Sequence, residues 1–206
     1  MIVFSFNPRG HGNSQEDIKG KPSNYWIRGL DNKECYYYQG AYLDCVRAVD
    51  FLCARKEVDP KRIAVEGGSQ GGGLSLSTAA LDSRISLCAP HIPFLTNWEL
   101  YFKTSHWPEM DEWIEAKELR TWQSTLKTLS YFDTMNMAPR IECPVFMGVG
   151  LQDAICPPVT CFAVYNRVKG KKEYRVYPNA KHHVDKAHHQ LVFNWMRKHF
   201  GLKLLQ

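Results

Sequence analysis

Ile63-Ala64-Val65-Glu66 runs directly into Gly67-Gly68-Ser69-Gln70-Gly71-Gly72-Gly73, and the small-residue stretch Leu74 to Leu81 follows. A short apolar run, a glycine-rich turn and a helix-forming segment, in that order, read as strand, sharp turn and helix. Gly67-Gly68-Ser69-Gln70-Gly71 fits G-x-S-x-G, the pattern of a nucleophile elbow. Its glycines let the chain turn tightly, and the N-terminus of the following helix turns backbone N–H groups towards the serine. Two other readings compete: a phosphate-binding loop and a purely structural turn. Neither G-x-G-x-x-G nor G-x-x-x-x-G-K-[ST] can be threaded through residues 67–73, and no lysine follows the turn.

Outward from the turn, the apolar positions keep alternating between two periods. Tyr38, Tyr42, Cys45, Val49 and Leu52 recur at helical spacing, and Asp59-Pro60-Lys61-Arg62 is a turn. Strands are predicted at Ile63–Glu66, Arg84–Ala89, Pro144–Val149 and Tyr174–Tyr177. Helices are predicted at Leu74–Leu81, Thr160–Val168 and Asp185–Phe200. Strands separated by helices imply an α/β fold with a mostly parallel, helix-covered sheet. Residues 94–131, approximately, break the alternation with Trp98, Trp107, Trp113, Trp122 and charges at helical intervals, and read as a helical insertion in one domain spanning 1–206. Those tryptophans read either as core and interface anchors or as a platform for sugar rings. Met1-Ile2-Val3-Phe4-Ser5-Phe6 reads as a strand from the first residue. A domain that opens so suggests the later part of a longer chain.

Composition narrows the class. Of 206 residues 44% are hydrophobic, 23% charged and 13% aromatic, which excludes disorder and a disulfide-stapled miniprotein. The net charge of +5 is spread without a basic block, so neither nucleic acid nor a membrane surface is an expected partner. No apolar run is long enough to span a bilayer, and no signal peptide opens the chain. Seven cysteines show neither a CxxC pair nor zinc-type spacing, and read as buried free thiols in a reducing compartment. A cytoplasmic location follows, with an upstream leader left open.

A serine needs a base, and the base an orienting carboxylate, supplied in the order Ser, acid, His by loops after later strands. Asp153 follows the strand ending at Val149, in Gly150-Leu151-Gln152-Asp153-Ala154-Ile155-Cys156-Pro157-Pro158. A turn or cap role is its plain alternative. His182 and His183 follow the next strand. With His188 and His189 they invite a metal reading, but H-E-x-x-H is absent and adjacent histidines on a helix point to different faces. Ser69, Asp153 and His182 are therefore the expected triad, with the Gln70 N–H as an oxyanion donor. Cys156 reads as a neutral, buried thiol.

Arg9-Gly10-His11-Gly12, Ile27-Arg28-Gly29-Leu30, Tyr42-Leu43-Asp44, the Ser69-Gln70-Gly71-Gly72 turn, Tyr131-Phe132-Asp133, Asn136-Met137-Ala138, Pro157-Pro158-Val159-Thr160 and Tyr165-Asn166 together give the chain a family likeness. It resembles the acetyl xylan esterase/cephalosporin C deacetylase group, carbohydrate esterase family seven of the α/β-hydrolases. The resemblance implies the same triad, Ser69, Asp153 and His182, and an acetyl-enzyme mechanism. It further implies deacetylation of xylo-oligosaccharides and other small acetyl esters without metal or cofactor, and assembly as a homo-oligomer, commonly a hexamer. The chain departs from the family pattern at His11, where glutamine is usual, and at His183, where glutamate is usual. Family members are also longer at the N-terminus, where their first strands and a second oxyanion donor lie. A catalytically impaired truncated form, or a relative acting on another acyl or peptide substrate, are the alternatives.

Overall fold

The computed structural model describes residues 1–17 and 22–205. Among the described residues, twelve α-helices and strands follow one another: α1 (Tyr37–Cys53), β1 (Ile63–Gly68), α2 (Gln70–Leu81), β2 (Ile85–His91), α3 (Trp98–Thr104), α4 (Pro108–Glu115), α5 (Trp122–Ser130), α6 (Thr134–Met137), β3 (Val145–Gly150), α7 (Pro158–Arg167), β4 (Lys172–Tyr177) and α8 (Lys186–His199). Short 3-10 turns occupy Gly12–Asp17 and Pro22–Ile27.

The four strands form one sheet in the order β1-β2-β3-β4, and every pairing is parallel. This is the α/β architecture that alternating strand and helix patterns predict. Successive residues of each strand feed opposite faces. Cys88, Val145, Met147 and Val149 pack with Val49 of α1, Leu76 and Ala79 of α2 and Val164 of α7. Leu87 and Ala89 pack on the other face with Val192 and Met196 of α8, flanked by Ala64 and Phe146. The sheet is therefore covered on both sides, and its strand ends carry the loops in which polar side chains gather.

Three details differ from the sequence reading. Met1–Phe6 forms no ladder; Val3 is 69% exposed, and the Phe4 ring leans on Phe51 of α1 at 5.3 Å. Residues 1–4 line a groove of about 380 Å³ together with Ile63, Ala64 and Glu66 of β1. An apolar run becomes a strand only by pairing its backbone, and this one lies across a gap from the sheet edge. Second, α2 begins at Gln70, so three of the turn's glycines lie inside a helix despite their poor helix propensity. Close packing overrides that cost: a Cβ on Gly73 would come within 2.4 Å of the Phe94 carbonyl oxygen. Third, of the seven free cysteines, Cys35 is exposed and Cys53 and Cys143 are half-buried, so only four behave as core residues.

The insertion is helical, as its pattern predicts. Helices α3, α4 and α5 enclose an aromatic cluster with Tyr25, Trp26 and the start of α1. Asp133 ties the start of α3 to the start of α6 by accepting hydrogen bonds from the backbone N–H groups of Asn97 (2.8 Å), Trp98 (2.9 Å) and Met135 (2.9 Å). Among the described residues no helix is long and apolar enough to cross a membrane.

Candidate active site

Ser69 sits between β1 and α2 with φ 53° and ψ −119°. A serine with positive φ is strained by about 1–3 kcal/mol, so the surroundings must hold it there. They do so through backbone bonds to the end of β2: the Ser69 N–H donates to the His91 carbonyl (3.0 Å), and the Ser69 carbonyl accepts from Phe94 N–H (2.9 Å). The result is a hydroxyl raised on the tip of the turn, at the N-terminus of α2.

Asp153 lies in the loop after β3 and His182 in the loop after β4. Their side chains meet Ser69 from two other strand ends. His182 Nε2 is 2.9 Å from Ser69 Oγ, and His182 Nδ1 is 2.8 Å from Asp153 Oδ2. The other carboxylate oxygen of Asp153 accepts from the backbone N–H groups of Ile155 (2.8 Å) and Cys156 (2.9 Å), which fixes the orientation of the carboxylate. Its side chain is fully buried, whereas that of His182 is 25% exposed and open to a substrate. An imidazole held this way can take the serine proton and return it to a leaving group. His183, the neighbouring base candidate, is exposed and takes no part in this chain of bonds.

Gln70 opens α2, so its N–H is among those with no carbonyl partner within the helix. That donor and the helix dipole lie beside the serine, where an oxyanion would form. The Gln70 side chain is steadied by donating to the Tyr38 hydroxyl at 3.1 Å. Next to it opens an aromatic pocket of about 170 Å³ lined by His11, Tyr25, Trp26, Tyr38, Phe94 and Trp107. Of the four insertion tryptophans only Trp107 lines this pocket. Trp98 is core, Trp113 lies under the Arg120 guanidinium at 3.8 Å, and Trp122 is exposed beside Phe102. Two residues before His11, Arg9 makes a two-pronged ion pair with Asp44 of α1, both contacts at 2.7 Å.

Cys156 is a feature that sequence reasoning placed only as a buried thiol. It borders the hydrogen-bonded Ser69, His182 and Asp153: its sulfur, one Asp153 oxygen and one His182 nitrogen lie within 4.8 Å of one another. Burial and the Asp153 charge push the thiol up to about 12, so it stays protonated beside Ser69. The remaining histidines of the closing segment behave differently. His188 of α8 is buried against His91 at the end of β2, and burial lowers His91 to about 3 and His188 to about 4, which keeps both neutral.

A family model described as acetyl xylan esterase (AXE1) matches residues 1–199. Acetyl esterase Axe7A of Xylanibacter ruminicola is 35% identical over 176 residues, covering 84% of this chain and 39% of that protein. In structure, the chain superposes on an acetyl xylan esterase from Paenibacillus sp. with a TM-score of 0.81 and 42% identity, and on acetyl xylan esterase 1 from Thermoanaerobacterium sp. with 0.79 and 31%. Each superposition covers 88% of this chain and 59% of the other. A puromycin-hydrolyzing peptidase of Mycobacterium tuberculosis shares the fold at a TM-score of 0.65 and 17% identity. The chain thus spans less than two thirds of the length of these esterases.

Proposed function

The chain belongs to the acetyl xylan esterase family, and from that premise we propose that it is a serine carboxylesterase that removes acetyl groups from small acetylated carbohydrates. The observation that carries this reading is the position of the His182 ring, 2.9 Å from Ser69 Oγ and 2.8 Å from Asp153 Oδ2. Ser69 Oγ attacks the acetyl carbonyl carbon while His182 Nε2 takes its proton. Asp153 holds the imidazole in the required tautomer and offsets its positive charge. The Gln70 N–H donates to the developing oxyanion. Collapse of the tetrahedral adduct breaks the ester C–O bond, and His182 returns the proton to the departing sugar oxygen. Water, activated by the same imidazole, then releases acetate from the acetyl-serine.

The aromatic pocket beside Gln70 supports a flat, partly apolar substrate surface such as a sugar ring, with Trp26 and Trp107 the tryptophans placed to touch it. The seven free thiols support a reducing compartment, the cytoplasm, and the family likeness supports a homo-oligomer. The test is hydrolysis of 4-nitrophenyl acetate and of acetylated xylo-oligosaccharides. Both activities are expected in the wild type and are expected to vanish in Ser69→Ala. Turnover that survives the substitution overturns the assignment.

A further inference from the structure

On the α8 side of the sheet, Glu66, His91 and His189 converge from three elements. Glu66 lies near the end of β1, His91 ends β2, and His189 lies in the first turn of α8. Parallel register sets Gly68 beside His91 and Gly148 of β3 on its other side, so Glu66 and His91 share one face of adjacent strands. One donor atom from each of the three side chains lies within 4.8 Å of the other two, and His189 Nδ1 is 3.0 Å from Glu66 Oε1.

Two further observations mark this cluster as built for a ligand. His91 is 6% exposed, yet its Nδ1 has no hydrogen-bond partner, and the same is true of Nε2 of fully buried His188, whose ring is 5.4 Å from that of His91. An unpartnered buried polar atom costs about 1–3 kcal/mol, and the His91 ring that carries one belongs to the cluster. The strands also reserve room for these rings. A Cβ on Gly68 would approach His91 Nε2 to 2.7 Å, and one on Gly148 would approach His188 Cε1 to 2.6 Å.

We propose that Glu66, His91 and His189 form a binding site for a divalent transition-metal ion of the zinc class. Two imidazoles and one carboxylate suit a borderline cation, and tetrahedral N/O coordination at about 2.0–2.2 Å sets donors about 3.3 Å apart, a small adjustment from the present spacing. Water completes the shell on the exposed side, where the His189 side chain is 51% accessible. His188 stands behind His91 and is itself oriented by the Tyr177 hydroxyl, 2.9 Å from its Nδ1. The ion would tie α8 to the ends of β1 and β2, directly behind the turn that carries Ser69. It is a structural ion and contributes no step to ester hydrolysis.

The test is titration of the metal-stripped protein with Co²⁺, read by visible d–d absorption, and with Zn²⁺, read by calorimetry. One equivalent is expected to bind. Glu66→Gln and His189→Ala, both at exposed positions and checked for fold by circular dichroism, should each weaken binding by at least about tenfold. His182→Ala should bind as the wild type does, which separates this site from Asp153, Cys156 and His182, the other grouping with metal-like spacing. Absence of saturable binding overturns the proposal. So does binding that survives Glu66→Gln and His189→Ala, or a thiolate-to-cobalt charge-transfer band lost in His182→Ala.

Discussion

His182 is engaged through both ring nitrogens, by Ser69 on one side and Asp153 on the other, whereas His91 and His188 each keep a buried nitrogen without a partner. Both groups gather at the C-terminal end of the sheet, the first in the loops after β3 and β4, the second on β2 and the first turn of α8. In the first, every polar atom of the imidazole has a role within the chain, so the geometry is complete for proton transfer. In the second, burial holds the rings neutral and each keeps one ring nitrogen without a partner, so neither is set up as an acid or a base as His182 is. One set of strand ends thus supports two chemistries, divided by which hydrogen-bond partners the loops supply.

The comparison can be broken most forcefully at Asp153. Asp153→Asn preserves size but presents a donor or a weaker acceptor to His182 Nδ1, favouring the wrong tautomer. A fall in kcat on an aryl acetate of about 10⁴, with KM little changed, is the expected result. A loss of tenfold or less would mean that the carboxylate does not orient the base. The second cluster is probed through its packing. Gly148→Ala drives a methyl group into His188 and to within 3.0 Å of His91 Cβ, and should lower stability by about 1–3 kcal/mol in urea unfolding. An unchanged midpoint would show that the rings are not wedged between strand and helix.

The smallest effect belongs to a solvent-facing cluster that serves as a baseline. Asp31 accepts from Arg120 at 2.7 Å through each of two nitrogens and from Lys117 at 3.1 Å, tying the loop before α1 to the insertion. The hydrogen bonds from Arg120 chiefly hold its carboxyl down at about 2, below the 3.8 of an unperturbed aspartate. The folded state therefore binds this proton less readily than the unfolded chain. The stabilisation is complete above pH 3.8 and disappears as the pH falls towards 2. Because the Asp31 side chain is 46% exposed, its worth is under about 1 kcal/mol. Asp31→Asn should reduce the unfolding free energy by that amount at pH 7 and by nothing near pH 2. An equal loss at both pH values would contradict the ion-pair origin.

The sheet, and the meeting of Ser69, Asp153 and His182 at its strand ends, were legible because both rest on local signals. Strand and helix periods differ, and an elbow glycine pattern followed by Asp and His after later strands leaves few arrangements. Met1–Phe6 misled because apolar alternation reports burial potential, whereas a strand also needs a neighbour with free backbone groups. The histidine cluster was hidden for another reason. His188 and His189 do point to different faces of α8, as helix geometry requires, but the His91 ring reaches both, at 5.4 and 5.1 Å. Only the register of β1 against β2, which no single sequence displays, brings Glu66 and His91 to one side. The available signal was an acid and a histidine at the ends of consecutive strands, followed by a histidine pair opening the last helix. Cys156 is the buried, neutral thiol that its sequence context suggests; only its closeness to Ser69 was not legible, since that depends on how the loop after β3 folds back.

The central claim is that His182, aligned by Asp153, makes the hydroxyl of Ser69 nucleophilic. Fluorophosphonate labelling with peptide mapping by mass spectrometry measures that reactivity at one atom. The account predicts a single modified serine, Ser69, with labelling abolished in His182→Ala and slowed in Asp153→Asn. Labelling at another serine, or at Ser69 with equal rates in all three proteins, would contradict it.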